Sequence, residues 1–165
     1  MEVELITKAA FAVLGIEGSG PADNGPEWIR PLWSKARNGI DEIRALIIGD
    51  GWGLMSAIDE PFARWQEEGK YLAGWEVRLE TQAPEGWTLW VVPETTFATI
   101  ACTMRTYGDA WQHVRNYFLQ NKDYDQAGAV HEFYPSTFQN PEKDTFYLYF
   151  TIKKKVGNRK VGGRS

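Results

Sequence analysis

The chain has 165 residues, 43% hydrophobic and 24% charged, a balance that fits one good core or two small lobes and excludes collagen-like, disordered and disulfide-rich classes. Its single cysteine, Cys102, excludes an intrachain disulfide, no apolar run approaches the roughly 20 residues that span a bilayer, and Met1-Glu2-Val3-Glu4 lacks the features of a secretory signal, so a cytoplasmic location is expected. The formal charge of −4 hides an uneven distribution: residues 153–165 hold six basic and no acidic residues, leaving 12 basic against 22 acidic elsewhere, a body that disfavours nucleic acid and mildly favours cationic ligands.

Residues 3–16 read as one long strand, after which Gly15, Gly18, Gly20, Pro21 and Gly25 break the pattern. From Glu27, the residues Trp28, Ile29, Leu32, Trp33, Ala36, Ile40, Ile43 and Leu46 recur at spacings of three and four, which predicts a helix with one buried stripe. Pro31 is expected in its first turn, where a missing N–H costs little. Strands are predicted over 51–58 and 71–80, separated by a charged stretch. A turn at Ala83-Pro84-Glu85-Gly86 leads into a long strand over 87–103, interrupted near Pro93. Tyr107, Trp111, Val114 and Phe118 mark a helix over 108–120, and two more strands follow at 128–135 and 145–152. The segment from Lys153 reads as a basic, disordered tail.

Each half therefore reads strand, helix, strand, strand, and short stretches repeat between them. Thr7 to Leu14 parallels Pro93 to Ile100, and Trp33-Ser34-Lys35-Ala36-Arg37-Asn38 parallels Trp111-Gln112-His113-Val114-Arg115-Asn116. The expected fold class is α+β: one domain over 1–152 made of pseudo-twofold tandem β-α-β-β repeats, about 3–80 and 87–152, followed by the tail 153–165. Antiparallel sheets would carry both helices on one side, with a ligand groove between the repeats. Trp33 and Trp111 then fall at equivalent helical positions, each readable as core or as groove wall.

Few arrangements in the chain suggest chemistry. The cluster Gly15-Ile16-Glu17-Gly18-Ser19-Gly20 is neither a nucleophile elbow nor a phosphate loop, and Cys102 sits in an apolar strand as a small core residue. Two histidines make a metal site improbable, and no cofactor is expected. Glu132 stands out within His131-Glu132-Phe133-Tyr134-Pro135, because alternation puts Val130, Glu132 and Tyr134 on one face. Facing the groove, its carboxylate could meet a ligand cation or act as a general base beside Tyr134; facing outward, it would be an ordinary solvated strand end. Tyr71, Ala73 and Trp75 likewise share a face, with the two rings flanking a small floor. Met55 is an adaptable groove residue on the neighbouring strand.

The tandem β-α-β-β order, with Tyr71-Leu72-Ala73-Gly74-Trp75-Glu76-Val77, Pro84-Glu85-Gly86-Trp87, Trp111-Gln112-His113-Val114 and His131-Glu132-Phe133-Tyr134-Pro135, resembles the GyrI-like small-molecule-binding family, of SOUL-like fold, over about residues 1–153. The resemblance implies a groove between repeats that takes lipophilic aromatic cations over a central glutamate, by motif position Glu132. It also implies an alternative, since a branch of the family hydrolyses cyclopropane-bearing toxins with the corresponding Glu and neighbouring Tyr and Trp. The chain is expected to lack room for a helix-turn-helix domain, so sequence-specific DNA binding is not expected of it. Trp75 stands where many relatives carry a smaller aliphatic residue.

These readings combine into a stand-alone, multidrug-like binding protein for planar, hydrophobic, cationic compounds, working as a monomer or homodimer and without a membrane partner. Its ligand-binding residues are expected to be Glu132, Tyr134, Tyr71, Trp75, Trp33, Met55 and Tyr147. Hydrolysis of a strained electrophile is the alternative, with Glu132 and Tyr134 as catalytic residues, and a gyrase-inhibitor type of protein interaction is a third.

Overall fold

The structure, a computed structural model, describes residues 1–156. Alternating apolar residues build eight strands: β1 (Glu4–Lys8), β2 (Phe11–Pro21), β3 (Ile47–Ala57), β4 (Glu68–Val77), β5 (Thr88–Val92), β6 (Thr95–Cys102), β7 (Tyr124–Tyr134) and β8 (Phe146–Lys154). Two helices interrupt them, α1 (Gly25–Asn38) and α2 (Tyr107–Gln120). All strands pair antiparallel in one curled sheet of order β1-β6-β8-β7-β3-β4-β2-β5. The fold class is the α+β arrangement expected from the sequence.

The two halves meet at a short seam between β3 and β7, where Gly51 pairs with Tyr134, Trp52 with Phe133 and Gly53 with Glu132. Outward from the seam the order is β3-β4-β2 on one side and β7-β8-β6 on the other, each trio carrying its own helix. The outermost strands are exchanged: β5 completes the first half by pairing with β2, and β1 completes the second by pairing with β6. This exchange splits two strands that the sequence joins. Residues 3–16 break at Ala9 and Ala10, and residues 87–103 break at Pro93, because each segment serves both halves of the sheet.

Gly15, Gly18 and Gly20 do not end β2; they are packing positions inside it. Gly15 faces Gly74 across the ladder, and a Cβ on Gly15 would overlap the Ala73 carbonyl. A Cβ at Gly18 would lie 2.8 Å from the Leu32 side chain and one at Gly20 2.5 Å from Trp28, so the bare backbone lets α1 settle onto the strand. The helix starts earlier than the periodicity suggests, at Gly25-Pro26, which leaves Pro31 in its interior rather than its first turn. Pro31 is exposed, so the carbonyl it cannot serve faces water. Gly39 closes the helix by donating to Lys35 O and Arg37 O, and the apolar periodicity continues through two 3-10 turns, Ile40–Glu42 and Arg44–Leu46.

Both helices lie on one face of the sheet. Ala12, Leu14, Tyr71 and Ala73 pack with Ala36 of α1, and Ile100, Phe146, Leu148 and Phe150 pack with Ala110 and Val114 of α2. The other face curls over a third cluster built from Phe11, Val13, Trp52, Leu54 and Phe97. Cys102 is buried, and burial pushes its thiol up to about 12, as befits a small core residue. The basic tail does not begin disordered: Lys153 and Lys154 pair with Asp125 and Tyr124, and Lys155 Nζ donates to Phe118 O at the end of α2. Residues 157–165, the rest of that tail, lie outside the described residues. No helix among the described residues is long and apolar enough to cross a membrane.

Candidate functional site

The seam brings β4, β3 and β7 side by side under α1, which puts side chains from three strands within reach of one helix. Tyr71 reaches from β4 across the bare backbone of Gly53 on β3 to Glu132 on β7, donating to Oε1 at 2.6 Å. Tyr134 donates to the same oxygen at 2.8 Å, and Trp33 Nε1 of α1 donates to Tyr71 Oη at 3.0 Å. Gly53 is what permits this chain, because a Cβ there would overlap Tyr71 Oη and stand 2.9 Å from Glu132 Oε1. Oε2 of Glu132 takes no hydrogen bond from a side chain among the described residues, and the residue is only part-buried.

Burial raises the Glu132 carboxyl above its ordinary value, and the two phenol hydrogen bonds oppose that shift by favouring the carboxylate. Burial first, and the Glu132 charge second, push Tyr71 and Tyr134 well above the usual phenol range, so both remain hydrogen-bond donors. One carboxylate oxygen is thus satisfied by two phenols, while the other takes no side-chain hydrogen bond among the described residues.

Above this network runs a groove of about 780 Å³ between α1 and the ends of β3, β4 and β7. Trp33, Trp75, Tyr134 and Phe138 supply its flat faces. Trp33 meets Trp75 edge to face at 5.9 Å and Tyr134 at 5.4 Å, while Tyr134 stacks on Phe146 at 5.1 Å. Its charged lining is Arg30, Arg37, Arg44 and Asp50.

Five of the residues singled out from the sequence come together here. Trp33, Trp75 and Tyr134 form the groove wall, and Glu132 and Tyr71 lie beneath that wall. Met55 packs in the same cluster as Tyr71 but does not line the groove. Its backbone N–H instead donates to His131 Nδ1 at 3.1 Å, where β3 and β7 part. His131 is buried and its pKa falls to about 3, so it serves as a neutral structural acceptor. Tyr147 is not at the groove. Phe146 and Leu148 point under α2, so alternation turns Tyr147 to the opposite face, against Phe133 at 6.1 Å. Trp111 packs edge to face on Phe150 at 4.9 Å in the second core, away from the wall that Trp33 forms.

Sequence reasoning missed Gly53, Phe138 and the arginines. The arginines left a signal: Arg30, Trp33, Ser34 and Arg37 fall at i, i+3, i+4 and i+7, one helix face. Gly53 left none, because its partners come from two other strands. Among the described residues, no three His, Cys, Asp or Glu side chains gather as a metal site.

A curled antiparallel sheet thus carries two helices on one face, with an aromatic groove beside the Glu132 network. The chain belongs to the GyrI-like small molecule binding domain family, whose model matches residues 1–153. Among curated proteins none matches in sequence. Solved structures share the fold. SAV2435, determined bound to tetraphenylphosphonium, is 14% identical with a TM-score of 0.69, covering 93% of this chain and 94% of that one. EcmrR in a DNA complex is 12% identical with a TM-score of 0.68, covering 93% of this chain and 58% of that one. A hydrolase from Listeria innocua is 10% identical with a TM-score of 0.54, covering 92% of each chain.

Proposed function

We propose that the groove binds flat, hydrophobic compounds and that Glu132 gives it a preference for a positive charge at the compound's inner end. The observation that carries this reading is the half-satisfied Glu132 carboxylate behind the wall of Trp33, Trp75 and Tyr134. A carboxylate removed from bulk water interacts with a cation more strongly than an exposed one does, and each aromatic face adds about 0.5–2 kcal/mol of cation–π attraction. A wall of flat rings with few directional groups accepts several shapes, which is the basis of multidrug-like binding. The tetraphenylphosphonium of the SAV2435 structure is likewise a hydrophobic aromatic cation, although it is tetrahedral rather than flat. In this reading the chain sequesters or senses such compounds. Titration with a panel of planar dyes, read by fluorescence anisotropy, tests it; no binding by any dye would refute it.

A second reading is favoured by one detail of the same network, a carboxylate of raised pKa flanked by two phenol donors. That set suits hydrolytic opening of a cyclopropane conjugated to a carbonyl. Glu132 takes a proton from water as the oxygen bonds to the ring carbon. The strained C–C bond breaks, its electron pair passes to the carbonyl oxygen, and that oxygen takes up the proton Glu132 accepted. The compound gains one water. Product analysis by mass spectrometry separates the readings, because binding alone leaves the compound's mass unchanged.

A further inference from the structure

The body of the protein is acidic, with 12 basic against 22 acidic residues before the tail, yet the charged lining of the groove is Arg30, Arg37 and Arg44 against Asp50. Arg44 is engaged, since its Nε and Nη2 donate to Asp41 Oδ1 at 2.9 and 2.7 Å. Arg30 and Arg37 have no carboxylate within 4 Å among the described residues. They flank Trp33 on one face of α1, two turns apart, and the Arg37 guanidinium sits 5.9 Å from the Trp33 ring centroid. That contact holds the guanidinium at the aromatic wall. Glu27 is the only acid on α1 and forms no ion pair with Arg30 among the described residues, so the stripe is not a self-compensated solvated face.

We infer that the outer end of the groove is an anion subsite, and that the preferred ligand is bipolar: a flat, cationic aromatic body with a carboxylate at its outer end. The inference rests on the groove being a small-molecule site. Arg30 and Arg37 bind the carboxylate through charge-assisted hydrogen bonds, the planar body lies along Trp33 and Trp75, and the inner positive end is directed at Glu132. A ligand with positive charge alone would leave the two arginines opposed to its charge. Selectivity therefore comes from two places, the arginine pair in the groove lining and Glu132 beneath the wall of Trp33, Trp75 and Tyr134.

The test uses rhodamine B, a xanthylium cation with a free carboxylate, and its ethyl ester, which keeps the body and removes the negative charge. Anisotropy titrations at low salt are expected to show wild type binding rhodamine B about fivefold to tenfold more tightly than the ester. The preference shrinks as salt is raised, because the arginines are exposed and screened. The Arg30→Gln, Arg37→Gln double variant is expected to bind both dyes alike, with its melting temperature checked alongside. Arg30→Lys with Arg37→Lys restores part of the preference. Equal binding of the two dyes by wild type, or a preference that survives in the double variant, overturns the anion subsite while leaving the groove as a binding site. Failure of both dyes to bind wild type overturns this inference, and the binding reading is then decided by the wider panel of planar dyes.

Discussion

Gly51 and Gly53 lie two residues apart on the same face of β3, and the structure assigns them opposite tolerances. A Cβ at Gly51 would find its nearest neighbours at 3.6 Å, in ordinary contact with Trp75 and Tyr134. A Cβ at Gly53 would overlap Tyr71 Oη and stand 2.5 Å from Tyr71 Cζ. Neither glycine has a positive φ, so backbone strain does not separate them. In Gly53→Ala the Tyr71 ring must move, and it is fully buried. The displacement breaks a charge-assisted bond to Glu132 and a neutral bond from Trp33, together worth about 2–4 kcal/mol. For a domain of this size that is a loss of about 5–15 °C in melting temperature. Gly51→Ala should stay within about 2 °C of wild type, since it adds a methyl group to open contact. Differential scanning calorimetry at pH 7.5 measures both. Equal melting temperatures for the two variants would refute the placement of the Tyr71 hydroxyl over Gly53, and with it the network beneath the groove.

Glu132→Gln should weaken binding of a planar cation by about 1–3 kcal/mol while sparing a neutral analogue of the same shape; isothermal titration with the matched pair checks this, and if the protein is a hydrolase the same change abolishes turnover. Because the folded carboxyl pKa is raised, wild type loses stability as pH rises from the unfolded value through the folded one, so Glu132→Gln should gain relative stability in melts at pH 8 compared with pH 4. Trp75→Ala should lower dye affinity by about 1–2 kcal/mol with a small melting change, whereas a large melting loss at unchanged affinity would assign Trp75 to the core. His131 has the opposite linkage: its folded pKa of about 3 lies below the unfolded 6.5, so the unfolded chain binds the proton first and stability falls as pH drops from about 6.5 toward 3. By pH 5 the loss is about 2 kcal/mol, and His131→Asn, which keeps an acceptor for the Met55 N–H, should remove that part of the acid sensitivity in chemical denaturation.

The elements were legible where one residue's neighbours in sequence are also its neighbours in space. Tyr71, Ala73 and Trp75 share a face because strand alternation is local, and α2 follows from Tyr107, Trp111, Val114 and Phe118 alone. The strand exchange was not legible, because Ala9-Ala10 read as part of one long strand, Pro93 read as an interruption, and neither carries information about which half each piece joins. The glycines of β2 read as breakers because the helix that needs their bareness lies further along the chain. Within the site, motif position led to Glu132 and alternation to Tyr134, but that one carboxylate oxygen accepts from both Tyr71 and Tyr134 depends on β4, β3 and β7 being adjacent. Tyr147 was misplaced for the same reason in reverse: an aromatic near Glu132 in the sheet can still stand on the other face.

The central claim, that a flat compound lies in the groove over the Glu132 network, is tested most directly by a crystal structure of the protein grown with rhodamine B. The dye is expected between α1 and the seam, in contact with Trp33, Trp75 and Tyr134 and with its positive end toward Glu132. Dye held instead beside Trp111 and Arg115 in the smaller cavity of the second half, with this groove empty, would contradict the account.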